Sequence, residues 1–160
     1  MAVYMQYASV KGQVTESKHK QWIELSSFQW GIGRSITAVI GASQSRESSL
    51  PSISEIVITK NLDDSSPDLL NYALFDSKGQ KVLIEFTKTG AGSDPDMYLQ
   101  FELTNTLISG YSYSSGGDKP TESLTLNFTK FNQKYIAFDE TNKAQAPKSN
   151  GYDSTSATKA

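Results

Sequence analysis

The chain has 160 residues, no cysteine, and 15 Lys+Arg against 17 Asp+Glu for a net charge of −2. That length sustains one globular domain, the missing basic surplus argues against nucleic acid as a main partner, and the missing thiols exclude a disulfide framework, thiol catalysis and a cysteine zinc site. No apolar run approaches the roughly 18 residues of a membrane span, and the alternating start Met1 to Tyr7 lacks the basic and apolar blocks of a signal peptide, so the expectation is a chain made in the cytosol without membrane insertion.

In chain order, alternation predicts a strand over 3–10 and a second over 20–30. In the second, Trp22, Phe28 and Trp30 share one face with Glu24 and Ser26, and Ile23 and Leu25 lie on the other with Ser27 and Gln29. Apolar residues on both faces suggest a strand covered on both sides for part of its length. Residues 31–51 then run about twenty positions without a helical pattern, long for a loop in a compact domain. They carry the apolar centre Ile36 to Ile40 and both arginines of the protein, Arg34 and Arg46, and read either as a β-hairpin with polar flanks or as a docking arm.

A third strand follows at Ile56 to Ile58. Ser66-Pro67-Asp68 supplies an N-cap residue, a first-turn proline and a first-turn acid; Leu69, Leu70, Ala73 and Leu74 follow at helical spacing, predicting one helix over about 66–76, with Gly79 as its stop. It is too short to stand alone and must dock its Leu69/Ala73 stripe on a sheet. Half-buried strands are expected at Val82 to Phe86, Leu99 to Leu103 and Leu124 to Phe128, the last joined to a strand around Tyr111 and Tyr113 by the turn 114–120 and continuing through Phe131, Tyr135 and Phe138. With 23 Ser, 13 Thr and 17 aromatic residues the chain reads as mainly β: a single domain over 1–138 and a polar, flexible tail over 139–160.

Little in the sequence suggests a reaction. His19 is the only histidine and has no ligand spacing around it, so it is assigned a structural or surface role. Asp63-Asp64 and Asp94-Pro95-Asp96 read as turns, and Gly31-Ile32-Gly33 lacks the third glycine and the helix of a dinucleotide loop. The sequon Asn127-Phe128-Thr129 lies in a strand and is expected to carry no glycan. No catalytic, metal or cofactor site is expected.

Several fragments occur in the order of one known family. Gly12, then His19-Lys20-Gln21-Trp22-Ile23-Glu24 and Ser27-Phe28-Gln29-Trp30-Gly31, then Ser66-Pro67-Asp68-Leu69-Leu70, Ser109-Gly110-Tyr111-Ser112 and Pro120-Thr121-Glu122-Ser123-Leu124-Thr125-Leu126-Asn127-Phe128 resemble the haemolysin-coregulated proteins of type VI secretion systems. The likeness covers about residues 3–138. It departs at Gln13-Val14, where the family has Glu-Ser directly after the glycine, and the tail is too short to be an effector domain. The resemblance implies a β-barrel of two packed antiparallel sheets with one flanking helix and an extended projecting loop over about 31–51. It further implies a homo-hexameric ring, ring-on-ring stacking into a hollow tube, a contractile sheath and spike-tip protein as partners, small effectors in the lumen, and export from the bacterial cytoplasm. Arg34, Ile36, Val39, Ile40 and Arg46 become inter-subunit or inter-ring contacts, and Ser27 and Gln29 lumen or cargo contacts. Two other classes compete: a β-sandwich carbohydrate- or ligand-binding module using exposed Trp22, Trp30 and tyrosines as a stacking platform, and a hydrolase using Asp94, Asp96 or Glu102.

Overall fold

In a computed structural model the described residues are 1–37, 40–41, 47–90, 92 and 94–160. The first sheet runs β2 (Ile23–Leu25), β1 (Ala2–Tyr7), β9 (Gln80–Lys88), β10 (Asp96–Ser114), β12 (Lys130–Tyr135), β13 (Lys148–Asp153), β14 (Thr158–Lys159). The second runs β3 (Ser27–Gln29), β8 (Ile56–Asn61), β11 (Thr121–Asn127) and the far half of β10. All these pairs are antiparallel. Strand β10 pairs β9 and β12 over its first half and β11 over its second, so it belongs to both sheets. Only Ser26 separates β2, paired with β1, from β3, paired with β8, and its amide donates to the Thr59 carbonyl at 2.7 Å. The pairings, joined end to end by the covalent link through Ser26, therefore form a closed circuit around one core.

That break also explains the two-faced apolar pattern of residues 20–30. Ile23 and Leu25 are buried before Ser26, whereas Phe28 and Trp30 pack on the core after it. The strand is not covered on both sides; it changes which face it offers. The interior alternates as pleating requires, with Met5, Tyr7, Val82, Ile84, Phe101 and Leu103 from the first sheet against Ile56, Ile58, Leu124 and Leu126 from the second. Phe28, Trp30, Phe86, Phe101 and Phe131 form a chain of ring contacts at 4.9–6.2 Å.

Helix α1 spans Ser66–Phe75 with Pro67 in its first turn. Its cap is Ser65 rather than Ser66, and it ends four residues before Gly79. Leu69 is fully buried and Tyr72 and Ala73 lean on the core, as the stripe required. Leu69 alone contributes about 1.5–3 kcal/mol of burial. The helix start is also tied by charge. Lys60 and Glu122, both fully buried, pair at 2.6 Å; Ser66 Oγ donates to Glu122 at 2.9 Å, Tyr111 OH donates to its other oxygen at 2.6 Å, and Lys60 reaches Asp63 at 3.0 Å. Burial pushes the Glu122 carboxyl up, but the bonds from Lys60, Tyr111 and Ser66 outweigh it and hold the group below the usual carboxylate range.

Within the segment 139–160, expected to be a flexible tail, residues 148–153 and 158–159 instead extend the first sheet. Strand β13 pairs β12 from Lys130↔Asp153 to Tyr135↔Lys148, and β14 pairs β13. Composition concealed this because the strand adds on mainly through its backbone, with Tyr152 as its one core contact. Gly151 permits the approach: a Cβ there would stand 2.4 Å from the Phe131 carbonyl oxygen.

Candidate functional site

Among the described residues, three surfaces stand out beyond the core. The first is the arm. Strand β4 (Ile32–Gly33) pairs β7 (Ser52–Ile53), β5 (Ile36–Thr37) pairs β6 (Glu47–Ser48), and bonds from Ser49 to Ser35 and from Ser54 to Gly31 complete a narrow two-stranded projection. Trp30 anchors its base by donating to the Ser54 carbonyl at 3.1 Å. Arg34 is exposed, and Ile32, Ile36, Ile40 and Leu50 are 62, 49, 101 and 69% exposed. Four large apolar side chains on one thin projection would be costly to leave in water. Val39 and Arg46 lie outside the described residues.

The second surface is the end of α1, where Leu70, Leu74 and Phe75 are 37, 64 and 77% exposed. It is apolar like the arm but sits on a different element.

The third is the outer face of the second sheet, where register builds cross-strand rows. Ser27, Thr59, Ser123 and Ser112 form one; Gln29, Val57, Thr125 and Gly110 the next; Asn61, Thr121 and Ser114 a third. None of these residues is charged. The Ser27 and Thr59 hydroxyls bond each other at 2.6 Å. Glu55 stands at the border, accepting from Ser109 at 2.5 Å and Asn127 at 3.0 Å, and these bonds lower its pKa from the ordinary glutamate value. By contrast, the outer face of the first sheet carries Glu24, Glu85, Glu102, Lys130 and Lys134. Ser27 and Gln29 are thus exposed members of a hydroxyl- and amide-bearing lattice. Sequence reading singled out these two and missed their partners, although the alternation in Val57 to Asn61 and Thr121 to Asn127 contained the signal.

The residues of the competing readings are placed elsewhere. Trp22 and Trp30 are half-buried, against His19 and against Phe101 and Phe131, and form no exposed platform. Asp94 accepts from Ser17, Asp96 pairs with Lys18 at 3.8 Å, and Glu102 pairs with Lys81 at 3.5 Å. A cleft of about 420 Å³ is lined by Gln13, Val14, Glu24, Asn61, Asp63 and Lys119, among others. His19 is 2% exposed. Among the described residues no His/Asp/Glu group could hold a metal ion, and no helix is long and apolar enough to cross a membrane.

This mainly β architecture, with one helix among the described residues, is shared with solved type VI secretion proteins. Residues 4–135 match the family described as "Type VI secretion system effector, Hcp", and the chain belongs to that family. It is similar in fold to a structure described as a type six secretion system protein, with 24% identity, 99% of each chain covered and a TM-score of 0.89. Hcp1 from Salmonella typhimurium aligns at 20% identity over 99% of this chain and 98% of its own, with a TM-score of 0.78. A type VI secretion system effector from Yersinia pestis aligns at 20% identity over 94% and 98%, with a TM-score of 0.74. No curated protein matched the sequence.

Proposed function

We propose that this chain is the repeating subunit of a type VI secretion tube. Six copies close into a ring, rings stack into a hollow tube, and a contractile sheath drives that tube outward behind a spike-tip protein. The subunit is made in the bacterial cytoplasm, leaves with the tube, and catalyses no reaction. The observation that carries this reading is the apolar arm, an exposed projection on which Ile32, Ile40 and Leu50 stand mostly in water and Ile36 about half so. A ring of identical copies needs one patch to meet a different patch on its neighbour, and stacking needs a further such pair. The arm and the end of α1 are two dissimilar apolar surfaces of the required kind. Arg34, Ile36 and Ile40, with Val39 and Arg46 beside them in sequence, are the contacts assigned to the arm.

The uncharged face around Ser27 and Gln29 is assigned to the lumen, where it contacts small effector proteins. A wall of hydroxyls and amides offers hydrogen bonds without a fixed field, so it accommodates cargoes of either charge sign.

Mass measurement in solution tests the ring: a particle of six chains is expected at micromolar concentration, and negative-stain images should show rings. A strict monomer under those conditions contradicts the reading. Replacing Gln29 with Arg should leave the ring intact and weaken retention of a co-expressed effector by tenfold or more, roughly the effect of placing an unpaired charge at a contact. Loss of folding in that variant would instead make position 29 part of the core.

A further inference from the structure

We propose that Glu16, His19 and Glu85 form a one-proton latch that holds the segment 11–22 over the outer face of the first sheet and releases it when that proton leaves. The cluster stands whether or not the chain assembles into rings. His19, the only histidine in the chain, is 2% exposed; its Nδ1 meets the Glu16 carboxylate and its Nε2 meets the Glu85 carboxylate at 2.5 Å. An ionised carboxylate only accepts, whereas a neutral imidazole has one N–H and one lone pair. Both contacts are satisfied when the ring is an imidazolium, or when one carboxyl carries the proton and donates it to a neutral ring. Either way the trio holds one proton beyond a neutral imidazole between two carboxylates. Without it, an acceptor faces an acceptor in a site nearly closed to water.

The remaining ties of the segment make this contact decisive. Gly12 and Gln21, and Val14 with both Gln21 and Trp22, bond within the segment at 2.7–3.2 Å and fold it on itself without attaching it to the barrel. Gly12 is needed there, since a Cβ would lie 2.3 Å from the Trp22 carbonyl oxygen. Attachments to the tip before β10, Ser17 to Asp94 at 2.9 Å and Lys18 to the Pro95 carbonyl at 3.1 Å, are exposed and compete with water. His19 is the tie shielded from that competition.

Its surroundings supply the other groups that bear on the proton. Tyr4 of β1 stacks on the ring and Trp22 meets it edge-on, both at 4.8 Å between centroids. Burial, then the Glu24 and Glu16 carboxylates, push the Tyr4 phenol up, so it stays neutral. On the β10 side Gln100 donates to Glu85 at 2.6 Å. Burial raises Glu16, but bonds from the Lys18 amide, His19 and Ser17 outweigh it and leave that carboxyl below its ordinary value. Lys18, Asp94 and Asp96 complete the charged neighbours at the tip. Release of the segment frees Gln13 and Val14, which line the same cleft as Asn61, Asp63 and Lys119.

Amide hydrogen exchange on the full chain tests the latch. Protection of the Gly12, Gln21 and Trp22 amides, whose bonds lie within the segment and meet water once it lifts from the sheet, is expected to fall about tenfold or more relative to Ile84 in β9 as the pH is raised from acid to alkaline and the latch proton leaves. Glu85→Gln should hold protection within about twofold over the same range, because a carboxamide can donate to a neutral ring and still accept from Gln100. Constant protection in the natural chain, or a parallel loss in Glu85→Gln, overturns the proposal.

Discussion

Glu122→Ala is expected to lower the stability of the barrel by about 3–5 kcal/mol, because it strands the buried Lys60 ammonium. Against the roughly 5–15 kcal/mol that holds a typical domain together, this is the largest single-residue effect anticipated here. The cause is local. Lys60 is fully buried and keeps Asp63, Ser66 and the Asn61 carbonyl, but loses its 2.6 Å carboxylate partner, while Tyr111 and Ser66 lose their acceptor. Removing both charges together, as Lys60→Met with Glu122→Gln, should recover most of the loss, since no ammonium is left stranded and a carboxamide accepts from one of the Tyr111 and Ser66 hydroxyls and donates to the other. Urea unfolding followed by tryptophan fluorescence checks both variants. A loss below about 1 kcal/mol in Glu122→Ala would mean that water reaches Lys60 and the cluster is not closed. The pH dependence has a definite sign. Because the native Glu122 carboxyl titrates below its unfolded value, its contribution is present above the unfolded pKa and disappears as pH falls through the native one.

Deleting residues 34–48 is expected to abolish stacking while leaving the barrel folded and the ring formed. The β5–β6 ladder belongs to the arm alone, so its removal breaks no pairing of the closed circuit. What is lost is the tip bearing Ile36 and Ile40, each worth about 1.5–3 kcal/mol when fully covered. In the assembly proposed above that loss is multiplied by the six arms at every ring junction. Electron microscopy should show single rings where the natural chain forms tubes, with an unchanged far-ultraviolet circular dichroism spectrum. Tubes of unchanged length from the shortened chain would remove the arm from the stacking contact.

Local pattern announced much of this architecture. Proline and the leucine spacing located α1, and the alternations at Val82 to Phe86 and Leu124 to Phe128 located strands and their buried faces. What pattern did not reveal depended on contacts distant in sequence. Leu99 to Leu103 and Tyr111 to Tyr113 look like two strands, and only pairing with β9, β12 and β11 shows that they are one. Residues 148–159 look mobile because backbone pairing has no hydrophobic signature. Lys60 and Glu122 resemble wet-face residues until register sets them opposite each other on the inner face. The candidate site was legible in part for the same reason: Ser27 and Gln29 could be singled out individually, but their uncharged neighbours are assembled by three further strands.

The shared strand β10 has a mechanical consequence. Its 19 residues, about 60 Å of chain at ordinary strand rise, carry one covalent backbone through both halves of the barrel. A push or pull delivered to either half is passed to the other along peptide bonds, with side-chain packing only bracing the route. Ser26 gives a second continuous path of the same kind on the opposite side of the circuit. Two unbroken struts of this sort resist shear between the two halves of a small chain, so stiffness under force is a property of the topology itself.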